Sequence, residues 1–148
     1  MVFIVAEETG LDWCAAGGTT CKRQDIAKGF EPDSSFYFRH ATVMRDKDEL
    51  ELPNDPPPEL TIEVDITRSS LDRFRIFAGI GVEEVWSYDG DQVRFHRLVG
   101  DSYTEVEVSV VLPPITATQA TIFLKQYRRE KSSIAWIRSV REWVRAQL

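Results

Sequence analysis

LTIEVDITRSSLDRFRIFAGIGVEEVW, residues 60–86, reads as a buried strand carrying two acids, a capped helix carrying a basic residue, and a second strand. Leu60 to Thr67 is apolar and β-branched except at Glu63 and Asp65, and period-2 alternation puts both acids on one face with Thr61 and Thr67. Two carboxylates on one strand face repel each other, and burying them is costly unless they are paired or metal-bound. Ser69 or Ser70 suits a helix N-cap, and Leu71, Phe74, Phe77 and Ala78 follow as an apolar helical stripe. Arg73 stands one turn into that helix, where it could reach back toward the strand's acids.

At 148 residues the chain fits one domain, residues 1–148, large enough to bury a core without staples. A 43% hydrophobic fraction and four Trp describe a folded globule rather than a disordered chain. Cys14 and Cys21 have no metal-type spacing; they flank Gly17-Gly18, so a disulfide is geometrically conceivable, but reduced thiols in a cytoplasmic protein are the better reading. No run approaches the roughly 18 apolar residues of a membrane span, which points to a protein without a membrane partner. The formal charge of −6 is uneven: residues 121–148 hold seven Lys/Arg against two acids, a local +5 that leaves −11 on the rest. Such an acidic body lacks the extended basic face of a high-affinity nucleic-acid binder. It does not exclude an enzyme, because a metal ion can bring positive charge to the chemistry.

Outward from the central unit, MVFIVAEET at residues 1–9 is ambiguous between helix and strand, and Gly10, suited to a C′ position, favours the end of a helix. Leu11–Ala16 and Thr19–Arg23 flank Gly17-Gly18 as a hairpin would, and Gln24–Phe30 reads as a loop. Pro32 sets the entry of an aromatic strand over Ser34–Phe38, and the charged, proline-rich residues 44–59 read as a solvated connector. Val85–Tyr88, Gln92–Leu98 and Tyr103–Val108 alternate between turn signals as an antiparallel meander. Thr116 and Gln119 form a capping box that opens a helix to about Arg129. Ser132 or Ser133 opens a last helix whose packing face is Ile134, Ile137, Val140 and Val144. Arg138, Arg141 and Arg145 form a basic ridge beside that face, read first as solvated and complementing the helix dipole, with a phosphate-tracking ridge for DNA as the alternative.

Asp33 follows a proline at the mouth of the aromatic strand, and Glu63 and Asp65 share the central one. Three acids on neighbouring strands with Arg73 on the next helix match the needs of a Mg²⁺-dependent phosphodiesterase. Hard oxygen ligands hold the ion, and a cation steadies the charge developing on phosphate. Taken singly, Asp33 is a turn residue by type, and Asp65 serves equally as ligand or as partner to Arg73. His40 and His96 read as surface or satisfied histidines, and Phe36, Tyr37, Phe38, Phe74, Phe77 and Trp86 as core.

Pro32-Asp33 with Phe36-Tyr37, Ile62-Glu63-Val64-Asp65-Ile66-Thr67, Leu71-Asp72-Arg73 with Phe77, and Gly81-Val82-Glu83-Glu84-Val85-Trp86 together carry a resemblance. They are similar to the Uma-type restriction endonuclease family, formerly a domain of unknown function, within the PD-(D/E)XK nuclease superfamily. The resemblance runs from about Leu11 to the C-terminus. It implies a restriction-endonuclease-like α/β core: a mixed central sheet flanked by helices, with the antiparallel meander and two C-terminal helices at about 116–147 packed on it. It implies Asp33 and Glu63 as metal ligands, with the Val64 carbonyl completing the protein's share, Asp65 in a supporting role, and Mg²⁺ or Mn²⁺ as the cofactor. Asp65 stands where the superfamily pattern has its lysine; the family typically shifts that lysine to the next helix, where this chain has Arg73. Family members usually begin with a further segment ahead of the position matching Met1. The expected function is metal-dependent hydrolysis of DNA by an activated water, in the cytoplasm, with a homodimer among the admissible assemblies. The alternative is a catalytically decayed relative acting as a non-catalytic binding or interaction module.

Overall fold

Apolar alternation and one helical crossover build the centre of the molecule. The computed structural model describes residues 1–16, 21–23, 32–47, 50–52, 54–64 and 70–148. In chain order these form α1 (Val2–Thr9), β1 (Cys14–Ala15), β2 (Cys21–Arg23), β3 (Ser34–Tyr37), α2 (Ala41–Met44), β4 (Leu50–Leu52), β5 (Leu60–Val64), α3 (Ser70–Ile80), β6 (Glu84–Tyr88), β7 (Val93–Val99), β8 (Ser102–Val106), α4 (Ala117–Arg129) and α5 (Ser133–Arg145). A mixed sheet runs in the order β1-β3-β5-β6-β7-β8. Its one parallel pair is β5 with β6, which α3 connects, as a parallel crossover requires. Antiparallel pairing extends from that pair on both sides, and β6, β7 and β8 form the expected meander.

The two sheet faces bury different sets. Phe36, Leu60, Trp86 and Phe95 pack with residues of α1, α4 and α5 in the main core, where Trp86 stacks on Phe95 with centroids 4.2 Å apart. The opposite face carries Val85 against Phe77 and Val82, with Phe74 and Tyr103 at the margin, so α3 covers it. The caps stop the helices where their residues suggest. Gly10 takes φ 71° at the end of α1, a left-handed conformation glycine adopts without steric penalty. The Thr116 hydroxyl accepts from Gln119 N–H at 3.0 Å, and Ser132 Oγ accepts from Ala135 N–H at 3.3 Å.

Four expectations change. Among the described residues, the strands on either side of Gly17-Gly18 pair elsewhere rather than as a hairpin: β1 pairs antiparallel with β3, and β2 pairs parallel with β4. The connector over 44–59 contains β4, because Leu50 and Leu52 alternate with Glu51 and bury to 2% and 6% exposure despite the charges around them. Ile134 is 63% exposed; Trp136 makes the contact with α4 instead, its indole N–H donating to the Phe123 carbonyl at 2.8 Å. The ridge on α5 is only partly solvated, since Arg141 and Arg145 pair with Glu7 and Glu8 of α1. Cys14 is a free thiol. The loop expected at Gln24–Phe30, the Ser69 cap and Asp65 lie outside the described residues. Among the described residues, no helix is long and apolar enough to cross a membrane.

Candidate functional site

Strand register brings Asp33 to Glu63. Ser34 and Ser35 at the start of β3 pair with Ile62 and Thr61, so the residue before Ser34 falls beside Glu63. Two contacts cross the gap: Asp33 N–H donates to Glu63 Oε1 at 3.4 Å, and Val64 N–H donates to Asp33 Oδ2 at 2.7 Å. The second is a charge-assisted bond of ordinary length that holds the exposed Asp33 side chain against the strand. Arg73, on the first turns of α3, donates through Nη1 to Glu63 Oε2. Its guanidinium is about half exposed, whereas the Glu63 side chain is 1% exposed.

Desolvation dominates at Glu63. Burial pushes its carboxyl above the ordinary value, the Arg73 contact pulls it back without cancelling the rise, and the charge of Asp33 adds to the upward push. Two other carboxylates near this sheet are equally buried and have different partners. Glu59 accepts from the backbone N–H groups of Phe38, Arg39 and His40 and contacts His40 Nδ1 at 2.6 Å. Glu84 accepts from the Trp86 indole, from Ser109 Oγ at 2.6 Å and from Val110 N–H at 2.6 Å. Both tie loops to the sheet. Glu63 has one long backbone contact and one surface cation, the weakest structural engagement of the three.

The structure therefore brings together Asp33, Glu63, Val64 and Arg73, four of the five residues singled out from sequence, while the fifth, Asp65, is outside the described residues. Among the described residues, no cluster of three or more His, Cys, Asp or Glu stands ready to hold a metal. The two acids and the Val64 carbonyl are nevertheless a hard-oxygen donor set, and Mg²⁺ needs only one or two protein carboxylates.

The sequence offered His96 only as a surface or satisfied histidine, and did not single out Ser87. Glu63 pairs with Ser87 across the parallel β5–β6 ladder, and Ser87 Oγ lies 2.8 Å from His96 Nε2 on β7. The ring of Phe74 meets the His96 ring edge-on with centroids 4.8 Å apart. Counting by two from the turn after Tyr88 would have placed Ser87, Arg94 and His96 on one face. A cavity of about 420 Å³ opens on the opposite face, lined by Phe3, Ile62, Val64, Tyr88, Tyr127 and Arg128 among others. It is almost wholly apolar and has none of the acids in its lining, touching the acidic cluster through Val64.

A family model described as "Uma2: Putative restriction endonuclease" matches residues 2–124. The match takes in α1, ahead of the Leu11 limit of the resemblance read from sequence, and ends before α5. A solved structure titled as a putative nuclease belonging to DUF820 from Anabaena variabilis ATCC 29413 is similar at 17% identity and a TM-score of 0.46, covering 80% of this chain and 70% of that one. No curated protein matches the chain.

Proposed function

The chain belongs to the Uma2 putative restriction endonuclease family, and on that premise we propose that it is a metal-dependent nuclease hydrolysing DNA phosphodiesters by an activated water in the cytoplasm. The observation that carries this reading is Glu63: a carboxylate 1% exposed, with its pKa raised, beside an exposed second carboxylate. Burial makes charge costlier there than in water, and a further cation would offset that cost. Asp33 and Glu63 hold Mg²⁺ or Mn²⁺ with the Val64 carbonyl, and Asp65 supports the site. The bound ion supplies a polarised water and a counter-charge for phosphate.

The protein's own groups set the rest. Val64 N–H fixes the Asp33 carboxylate, and Arg73 orients Glu63 while presenting positive charge toward the surface, where a phosphate approaches. Arg73 stays protonated at any working pH, so it stabilises charge and accepts no proton. The Arg73 contact also favours the rival reading, a non-catalytic binding module, because a guanidinium already answers the buried carboxylate.

Plasmid nicking with Mg²⁺ or Mn²⁺ tests the proposal. Wild-type protein should nick only with the ion, Glu63→Ala should lose activity by at least about 100-fold, and Arg73→Lys should retain or exceed wild-type activity, since an ammonium reaches the same acids. Absence of ion-dependent nicking by wild type, or its survival in Glu63→Ala, overturns the reading. A tenfold loss in Arg73→Lys would instead show that the planar guanidinium geometry is what matters there.

A further inference from the structure

Hydrolysis by water requires something to take a proton, and Arg73 does not. Among the described residues on the α3-covered face, one neutral base stands near the acids. The register Glu63↔Ser87 places Ser87 on the strand adjacent to Glu63, one interstrand spacing of about 4.8 Å away. Ser87 Oγ then meets His96 Nε2 at 2.8 Å. Consecutive residues of α3 roof both features, Arg73 over Glu63 and Phe74 over the His96 ring.

We propose that Ser87 and His96 form the proton-accepting pair of the site, with Ser87 as the catalytic residue that meets the attacking water and His96 acting through it. This inference rests on the nuclease reading above. In the step, the water oxygen bonds to phosphorus and its proton passes to Ser87 Oγ, while the Ser87 hydroxyl proton passes to His96 Nε2. The P–O bond to the leaving oxygen breaks, that oxygen takes a proton from solvent water, and His96 later returns its proton to solvent. The sum is one water consumed per phosphodiester, giving an alcohol and a phosphomonoester.

The role needs a neutral His96 with its lone pair on Nε2 and the ring proton on Nδ1. The groups around the ring favour neutrality. Burial lowers the His96 pKa from 6.5, the Arg94 charge on the same strand lowers it further, and Glu105, its partner on β8, opposes them without reversing the fall. From β6 the ring meets the uncharged Ser87; from α3 it meets Phe74, with Arg73 the adjacent cation; Tyr103 meets the Phe74 ring edge-on. A purely structural Ser–His bond would share this geometry but not its kinetic consequences.

Two measurements separate them. In ¹⁵N-histidine-labelled protein without metal, the His96 ring should show the Nδ1–H tautomer at pH 7, and Ser87→Ala should shift the Nε2 resonance while the amide spectrum stays folded. With Mn²⁺ and plasmid substrate, His96→Gln and Ser87→Ala should each lower kcat about 100-fold at unchanged KM, and the acidic limb of the pH–rate profile should vanish in His96→Gln. An Nε2–H tautomer, or wild-type kcat and pH profile in both variants, overturns the pair. If Glu63→Ala is inactive while both variants cleave normally, the pair is wrong and the nuclease reading stands; if wild type does not cleave with metal, the nuclease reading itself has failed, and the pair's catalytic role with it.

Discussion

Glu63, Glu59 and Glu84 are each 3% exposed or less, yet Glu59 accepts from three backbone N–H groups and Glu84 from an indole, a hydroxyl and a backbone N–H, whereas Glu63 has one long backbone contact and the half-exposed Arg73. Its raised folded pKa sets a sign. A carboxyl whose pKa rises on folding contributes stability fully below its unfolded value, here 4.5, and loses it as pH climbs through the folded value. Without metal, Glu63→Gln should therefore melt a few degrees higher than wild type at pH 7, with the gap closing as pH falls toward 4.5; thermal melts in chelator across that range check it. A lower melting temperature for the variant at pH 7 would mean that the Arg73 pair outweighs desolvation. At this scale the sequence was informative where type and period agree: an acid among β-branched residues singled out Glu63, which the strand buries beside Asp33 and Arg73. Ser87 and His96 carried no such signal, because their meeting depends on which strands pair.

At the scale of elements, α5 offers the sharpest contrast. Val144 is fully buried among α1 and core residues, whereas Ile134 is 63% exposed at the same apolar spacing. Val144→Ala should lower unfolding free energy by about 2 kcal/mol and Ile134→Ala by under about 0.5 kcal/mol in urea titrations. The α1–α5 seam also carries a pH signature. The Arg145 hydrogen bond holds the Glu8 carboxyl below its ordinary 4.5, so the seam's contribution is complete above that value and lost as pH falls through the depressed folded one. The stability gap between wild type and Glu8→Gln should be flat from pH 7 to about 5 and close in stronger acid. Capped helix ends were legible in the residues themselves, since Gly10, Thr116 and Ser132 satisfy backbone groups locally. Pairing was not: β2 and β4 find each other although β3 and α2 come between them in the chain, and nothing near Gly17-Gly18 reports that Leu50 offers a partner. A heptad-like spacing likewise named Ile134 as core without knowing that Trp136 reaches α4 first.

For the whole molecule, charge is the limiting resource. The chain carries −6, and much of its positive charge is committed internally: Arg141 and Arg145 to α1, Lys125 to Asp91, Arg94 to Asp89, Arg39 to Glu83. Among the described residues, a cation held in such a pair offers a phosphate backbone less net charge than a free one. On the proposed reading, the divalent ion bound by Asp33 and Glu63 brings the charge that the fold lacks. Calorimetric titration of Mn²⁺ into wild type, Asp33→Ala and Glu63→Ala addresses that claim directly. Wild type should bind saturably and both variants should lose that binding while still unfolding cooperatively; binding that persists unchanged in both would rule out Asp33 and Glu63 as ligands.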